Sequence, residues 1–157
     1  MDVALSFLSH RPRSEAEVRQ RIIKNFPISL VDETIVQLQI QGLLDDAAFA
    51  RFWTDNREQH RPRSKALIRQ ELFKKGISRD VADEALESLD EEASAIKAGR
   101  KLLRRLRGID LETFQSKMGD HLRRRGFSYD VTSRATEAIW QDLMDPPDSH
   151  IDAEAYR

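Results

Sequence analysis

The sequence contains no cysteine. That rules out a disulfide framework, a thiolate zinc site and a cysteine nucleophile, and it fits a reducing compartment. Glycine and proline are scarce, six and five in 157 residues, and no valine- or isoleucine-rich alternating runs separated by hairpin signals occur, so strands are not expected. No run approaches the roughly 20 apolar residues of a membrane span. Asp2 and the short apolar stretch at residues 3–8 are wrong for a signal peptide, and the cytoplasm is the expected location. A large charge excess is also missing, but the net charge of −1 conceals segregation. Residues 1–78 carry 13 basic against 10 acidic side chains, 79–95 carry 1 against 7, 96–134 carry 11 against 4, and 135–157 carry 1 against 6. A basic block thus lies between two acidic ones, and a polyanion or an acidic protein surface is a suitable partner for it.

What the sequence does contain is a repeat. The five letters His10-Arg11-Pro12-Arg13-Ser14 return as His60-Arg61-Pro62-Arg63-Ser64, and Val18, Arg19, Gln20, Ile22 and Lys24 are matched by Ile68, Arg69, Gln70, Leu72 and Lys74. A fainter third copy places Met118, Leu122, Gly126, Phe127, Ser128 and Val131 at the offsets of Ile68, Leu72, Gly76, Ile77, Ser78 and Val81. A repeat of about 50 residues holding three helical stretches is close to the two- and three-helix solenoid class, in which each unit needs its neighbour to bury its apolar face.

In each copy the proline stops one helix and the serine after it is placed to cap the next. Ser14 and Glu17 have capping-box spacing. Val18, Ile22 and Ile23, matched by Ile68, Leu72 and Phe73, predict a buried stripe. Gly76-Ile77-Ser78 and Gly126-Phe127-Ser128 read as a left-handed glycine, an apolar plug and the N-cap of a following helix. The first copy has Phe26-Pro27-Ile28-Ser29 instead, which predicts a turn one residue different in length.

In chain order, a short helix over 3–8 precedes one over 14–25, and Val31, Ile35 and Leu38 mark a third, ending near Gly42. Asp45 is placed as an N-cap, with Leu44 and Phe49 at hydrophobic-staple spacing. Phe49, Phe52 and Trp53 share a helix face expected to be core rather than a base-stacking platform. After the helix bearing Val81, Ala85, Leu86 and Leu89, a leading helix of the third unit is expected across residues 97–107, with Ile96, Gly99, Leu102, Leu103 and Leu106 inward. Its outer positions, Lys97, Arg100, Lys101, Arg104, Arg105 and Arg107, are six cations with no acid between residues 98 and 109. Helices over 111–125 and 129–143 complete the unit, Trp140 being packing, and the acidic residues beyond are expected to be disordered.

The expected fold is therefore all-α: three tandem three-helix repeats, residues 1–42, 43–90 and 91–144, forming an elongated, curved modular structure, with a tail at 145–157. Catalysis is not expected, since no base, nucleophile and oxyanion set occurs. Ser14, Ser64, Ser78 and Ser128 all lie at helix starts, and Asp45-Asp46 suits a helix N-terminus. His10 and His60 are turn residues of different units, and His121 and His150 lack partners at ligand spacing, so no metal or cofactor is expected.

At Gly42-Leu43-Leu44-Asp45-Asp46-Ala47-Ala48-Phe49-Ala50, followed by residues 67–78, LIRQELFKKGIS, the sequence resembles the RecX family of bacterial RecA regulators. The order of motifs carries the likeness, from R-x-R-S and its V-R-Q-R-I helix to the A-L-x-x-L helix, and it covers nearly all of residues 4–143. Phe26, and Arg61-Pro62, stand where family members commonly have glycine, and the segment often seen before the first helix is nearly absent. The resemblance implies a monomer lying along the groove of a RecA filament, limiting ATP hydrolysis and strand exchange, and promoting disassembly. It leaves open direct contact with single- or double-stranded DNA. Candidate contacts are Lys97, Arg100, Lys101, Arg104, Arg105 and Arg107, with Arg123, Arg124 and Arg125, which equally suit stabilisation of their helix's C-terminal dipole, then the turn arginines Arg11, Arg13, Arg61 and Arg63. The competing readings are a free-standing helix-turn-helix DNA-binding module using the basic third repeat, and a scaffold unrelated to DNA.

Overall fold

The computed structural model describes residues 1–145, so the acidic tail, including His150, lies outside it. Nine α-helices and one 3-10 turn follow in order, with no strand among the described residues: α1 (Asp2–His10), α2 (Glu15–Ile22), α3 (Ile28–Ile40), α4 (Asp46–His60), α5 (Lys65–Lys74), α6 (Arg79–Leu86), α7 (Glu91–Arg100), α8 (Leu111–Arg124) and α9 (Tyr129–Met144), the 3-10 turn being Leu103–Arg105. They form three units of three helices. Each unit has its own core, centred on Val18, Ile35 and Leu38 in the first, Ile68, Leu72 and Leu86 in the second, and Phe114, Met118, Leu122 and Ile139 in the third. The helix pairs that pack extensively all lie within a unit, so each unit buries its apolar face among its own three helices, which corrects the expectation that it needs its neighbour to do so.

The helix boundaries follow from their end residues. Ser14 accepts from the Glu17 amide at 3.2 Å while Glu17 accepts from the Ser14 amide at 3.0 Å, which completes the capping box. Asp45, Ser64, Ser78, Asp90, Asp110 and Ser128 each cap a helix through the side chain. Three helices close the same way. After α3, α5 and α8 the amides of Leu43, Ile77 and Phe127 reach back to the carbonyls of Leu38, Leu72 and Leu122 across a left-handed glycine, satisfying carbonyls that would otherwise be orphaned. In the first unit Pro27 caps α3 with no side-chain bond. The N-cap positions Pro27, Ser78 and Ser128 are thus 51 and then 50 residues apart, the one-residue change that the Phe26-Pro27 turn predicts.

Several expectations need correction. Ile23 and Phe73 are exposed, because the stripe on α2 and α5 is narrow and these positions point past it. Of the aromatic face on α4, Phe49 is core but Phe52 is exposed and Trp53 half-buried. Leu44 is buried with the first core and Phe49 with the second. The helix expected across 97–107 stops at Arg100. Residues 101–107 form a tight turn instead, held by Leu102 N–H to Gly99 and Arg105 N–H to Leu102. A continuous helix would stack Lys97 on Lys101, Arg100 on Arg104 and Lys101 on Arg105, like charges at i,i+4. Leu102 and Leu103 consequently pack only partly, while Leu106 is buried.

Candidate functional site

The joints between units bring the basic residues together. At the first joint the Ser14 hydroxyl donates to the Lys75 carbonyl at 2.6 Å. At the second, the Ser64 amide donates to the Arg125 carbonyl at 3.1 Å. Both joints use an acid at the first position of the next unit's leading helix. Asp46 accepts from the Glu15 amide at 2.8 Å, and Glu91 from the Lys65 amide at 2.7 Å. A carboxylate at these helix N-termini satisfies an orphan N–H and meets the positive dipole end. Burial raises the Asp46 carboxyl above its ordinary range, and the nearby charges of Glu15 and Asp45 add to this, against the Glu15 amide.

Glu17 is the acidic hub of the first joint, bonded to Arg11 at 3.0 Å and Lys75 at 3.2 Å. Burial alone would raise its pKa, but the Ser14 amide, Lys75 and Arg11 outweigh that and hold it below the usual carboxylate range. Glu71 is the corresponding hub of the second unit, taking Arg57 at 2.9 Å, the Trp53 indole N–H at 2.8 Å and Arg63. Trp53 also lies under the Arg57 guanidinium and beside the Lys75 ammonium, so it serves packing and cation–π contact.

The second joint has a different charge balance. Arg125 is part-buried, and its pKa is lowered by that burial and by the positive charges of Arg63, Arg124 and Arg61. His121 is likewise lowered, by burial and then by Arg125, with Arg124 and Arg105 also contributing. Its Nε2–H donates to the Ala98 carbonyl at 3.2 Å, leaving Nδ1 facing Arg125. Lys101 reaches from the third unit to the His60 carbonyl at the end of α4, 2.6 Å away. Arg61 and Arg124 lie near Arg125, Arg105 lies near His121, and Lys101 is bonded to the His60 carbonyl, so these cations surround one joint with no carboxylate bound to any of them among the described residues, whereas Arg63 beside them is held by Glu71. Holding like charges together is unfavourable, and an anion bound there would relieve it.

The remaining sequence candidates divide by their partners. Arg11 is bound by Glu17, Arg63 by Glu71, Arg100 by Asp142 at 2.8 Å and Arg123 by Asp120 at 2.7 Å. Arg13 lies 3.9 Å over the Phe7 ring, and burial followed by the Arg11 charge lowers its pKa. Lys97, Arg104 and Arg107 are exposed without an ion pair among the described residues. The convergence of the 61–63 turn with residues 105 and 124–125 had no sequence signal, since those segments are more than 40 residues apart in the chain.

Comparison with known proteins agrees with this architecture. Family models described as the first, second and third three-helix domains of RecX match residues 1–38, 45–86 and 90–136. The regulatory protein RecX of Prosthecochloris aestuarii is 34% identical over 125 residues, 79% of this chain and 82% of that protein. That of Clostridioides difficile is 28% identical over 139 residues, 87% of this chain but 66% of the relative, so some relatives are longer. The crystal structure of RecX from Lactobacillus salivarius superimposes with a TM-score of 0.76 at 23% identity, covering 89% of this chain and 94% of that one. A second crystal structure, of a regulatory protein RecX, gives 0.71 at 27% identity, covering 85% and 69%. With all three domains matched in order and a relative covered over most of its length, the chain belongs to the RecX family of regulatory proteins.

Proposed function

We propose that this protein binds the RecA nucleoprotein filament along its groove and restrains it, mainly inhibiting ATP hydrolysis, strand exchange and coprotease activity, and so regulates DNA repair and recombination. It acts as a cytoplasmic monomer and by binding rather than catalysis. The observation that carries this reading is the cation cluster at the second joint, formed by Arg61, Arg105, Arg124, Arg125 and Lys101 from two units of an array. A surface distributed over tandem units suits a partner that is itself a repeating polymer, because each further contact is made at high effective concentration. The cluster's exposed members Arg61, Lys101, Arg105 and Arg124 supply the salt-dependent attraction that a phosphate backbone or an acidic groove would meet. Arg104, Arg107 and Lys97 extend the same charge, whereas Arg11, Arg13, Arg63, Arg100 and Arg123 contribute from within internal contacts.

Cosedimentation with RecA on single-stranded DNA, with RecA alone and with DNA alone tests this. Binding to the assembled filament well above binding to either component supports filament recognition. Equal binding to naked DNA and to the filament would favour the free-standing DNA-binding module instead.

A further inference from the structure

Most of the exposed large apolar side chains among the described residues lie in the first unit, before residue 44. Three of them, Val36, Ile40 and Leu43, follow one another along the outer face and C-terminal end of α3, and Ile28 lies at its start. Ile28 is 65% exposed, Val36 50% and Ile40 73%. At Val36 and Ile40 the other units show that the fold does not require apolar residues. With the N-caps superimposed, Val36 corresponds to Glu87 after α6 and Glu137 on α9, and Ile40 corresponds to Gln141 on α9, all exposed. The buried positions of the same helices stay small or apolar, as in Leu38, Leu89 and Ile139. At Ile28 and Leu43 the third unit also exposes apolar residues, Tyr129 and Met144, so the change of character is confined to Val36 and Ile40.

We infer that this α3 face is a docking surface for a protein, namely an apolar patch with cations at its rim on the protein subunits of the filament. The inference rests on the filament-binding reading. Nucleic acid does not suit the face, because no lysine or arginine occurs between Lys24 and Arg51. Arg19, which reaches α3 from α2, is already held by Asp32 and Glu15. Of the charged side chains of α3 itself, Asp32 is paired with Arg19 and Glu33 is in no ion pair among the described residues; with Glu15 on the same arginine the charge beside the patch is net negative, so a rim of opposite sign on the partner would be attracted. A second copy of this chain is a poorer occupant. Isologous pairing would bring acidic helices together, and a few side chains fall short of the about 800 Å² per partner that a stable interface buries. The same small patch is sufficient as one of two linked contacts, with the cation cluster as the other.

The substitutions Val36→Glu and Ile40→Gln, made together, install the residues that α9 carries at these positions. The double variant is expected to keep its melting temperature and its affinity for naked single-stranded DNA. It should bind the RecA–DNA filament about tenfold more weakly, the scale set by removing two apolar contacts. Should that variant fail to fold, Val36→Ala with Ile40→Ala is expected to give the same loss with helix propensity preserved. Undiminished filament binding by a folded variant overturns the inference, as does an equal loss of naked-DNA binding. A parent that self-associates while the variant is monomeric, by sedimentation velocity, overturns the occupant in favour of a second copy. A parent that does not bind the filament at all overturns the functional reading itself, and the occupant with it.

Discussion

The Ser14 hydroxyl donates to the carbonyl of Lys75, 61 residues further along and 2.6 Å away. The second joint repeats that spacing, with the Ser64 amide donating to Arg125. In both, the residue that caps a middle helix also receives the C-terminal turn of the next unit's middle helix, which explains why Ser14 and Ser64 are buried although N-caps are commonly exposed. The glycine after that turn lies directly against the preceding unit. A Cβ on Gly76 would come within 2.3 Å of the Ala16 Cβ, and one on Gly126 within 2.5 Å of the Ser64 Oγ.

Gly126→Ala is therefore expected to cost about 2–4 kcal/mol, combining left-handed backbone strain with overpacking at the joint. Gly108→Ala has the same sign of φ, but nothing lies near the added methyl, so it should cost only about 1–2 kcal/mol from strain. Urea denaturation of the two variants checks this, and equal losses would remove the joint from the account.

The caps and the left-handed glycines after α5 and α8 were legible because each depends on residues within a few positions of one another; that each unit closes its own core, joining residues as far apart as Ala4 and Leu44, was not. Ser14 with Glu17, or Leu72 with Gly76 and Ile77, specify their own geometry. The joints were not legible in the same way. That Asp46 would satisfy the Glu15 amide, or that Arg125 would meet Arg61, depends on how one unit is set against the next, and no local period encodes it. Across residues 97–107 the apolar spacing at Ile96, Gly99, Leu102 and Leu106 is helical, whereas the like-charged rows on the outer side oppose a helix, and the helix stops at Arg100.

Glu17 connects the first joint to pH. Its pKa in the folded protein lies below its value in the unfolded chain, so its contribution is present above the unfolded pKa and is lost as pH falls through the folded one. Glu17→Gln should cost about 2 kcal/mol at neutral pH, through loss of charged hydrogen bonds to Arg11 and Lys75. The variant should also lose less stability than the parent on acidification below the ordinary carboxylate range. Thermal melts from neutral to acid pH read both effects, and parallel curves would refute this role of Glu17.

The core assignment predicts that Leu72→Ala and Leu122→Ala each cost about 2–5 kcal/mol, since both side chains are fully buried in different units. Because the units have separate cores, each loss should first appear as hydrogen exchange in its own unit. Uniform exchange across the chain in either variant would contradict a modular fold.

Single-strand-dependent ATP hydrolysis by the host RecA, titrated with the parent and with a variant carrying Arg61→Glu, Arg105→Glu and Arg124→Glu, tests the central claim most directly. The parent should suppress hydrolysis, and progressively less as salt rises. The variant, still helical by circular dichroism, should need about tenfold or more protein for the same effect and show a shallower salt dependence. A parent without effect on hydrolysis, or a folded variant that suppresses it as well as the parent does at every salt concentration, would contradict the account.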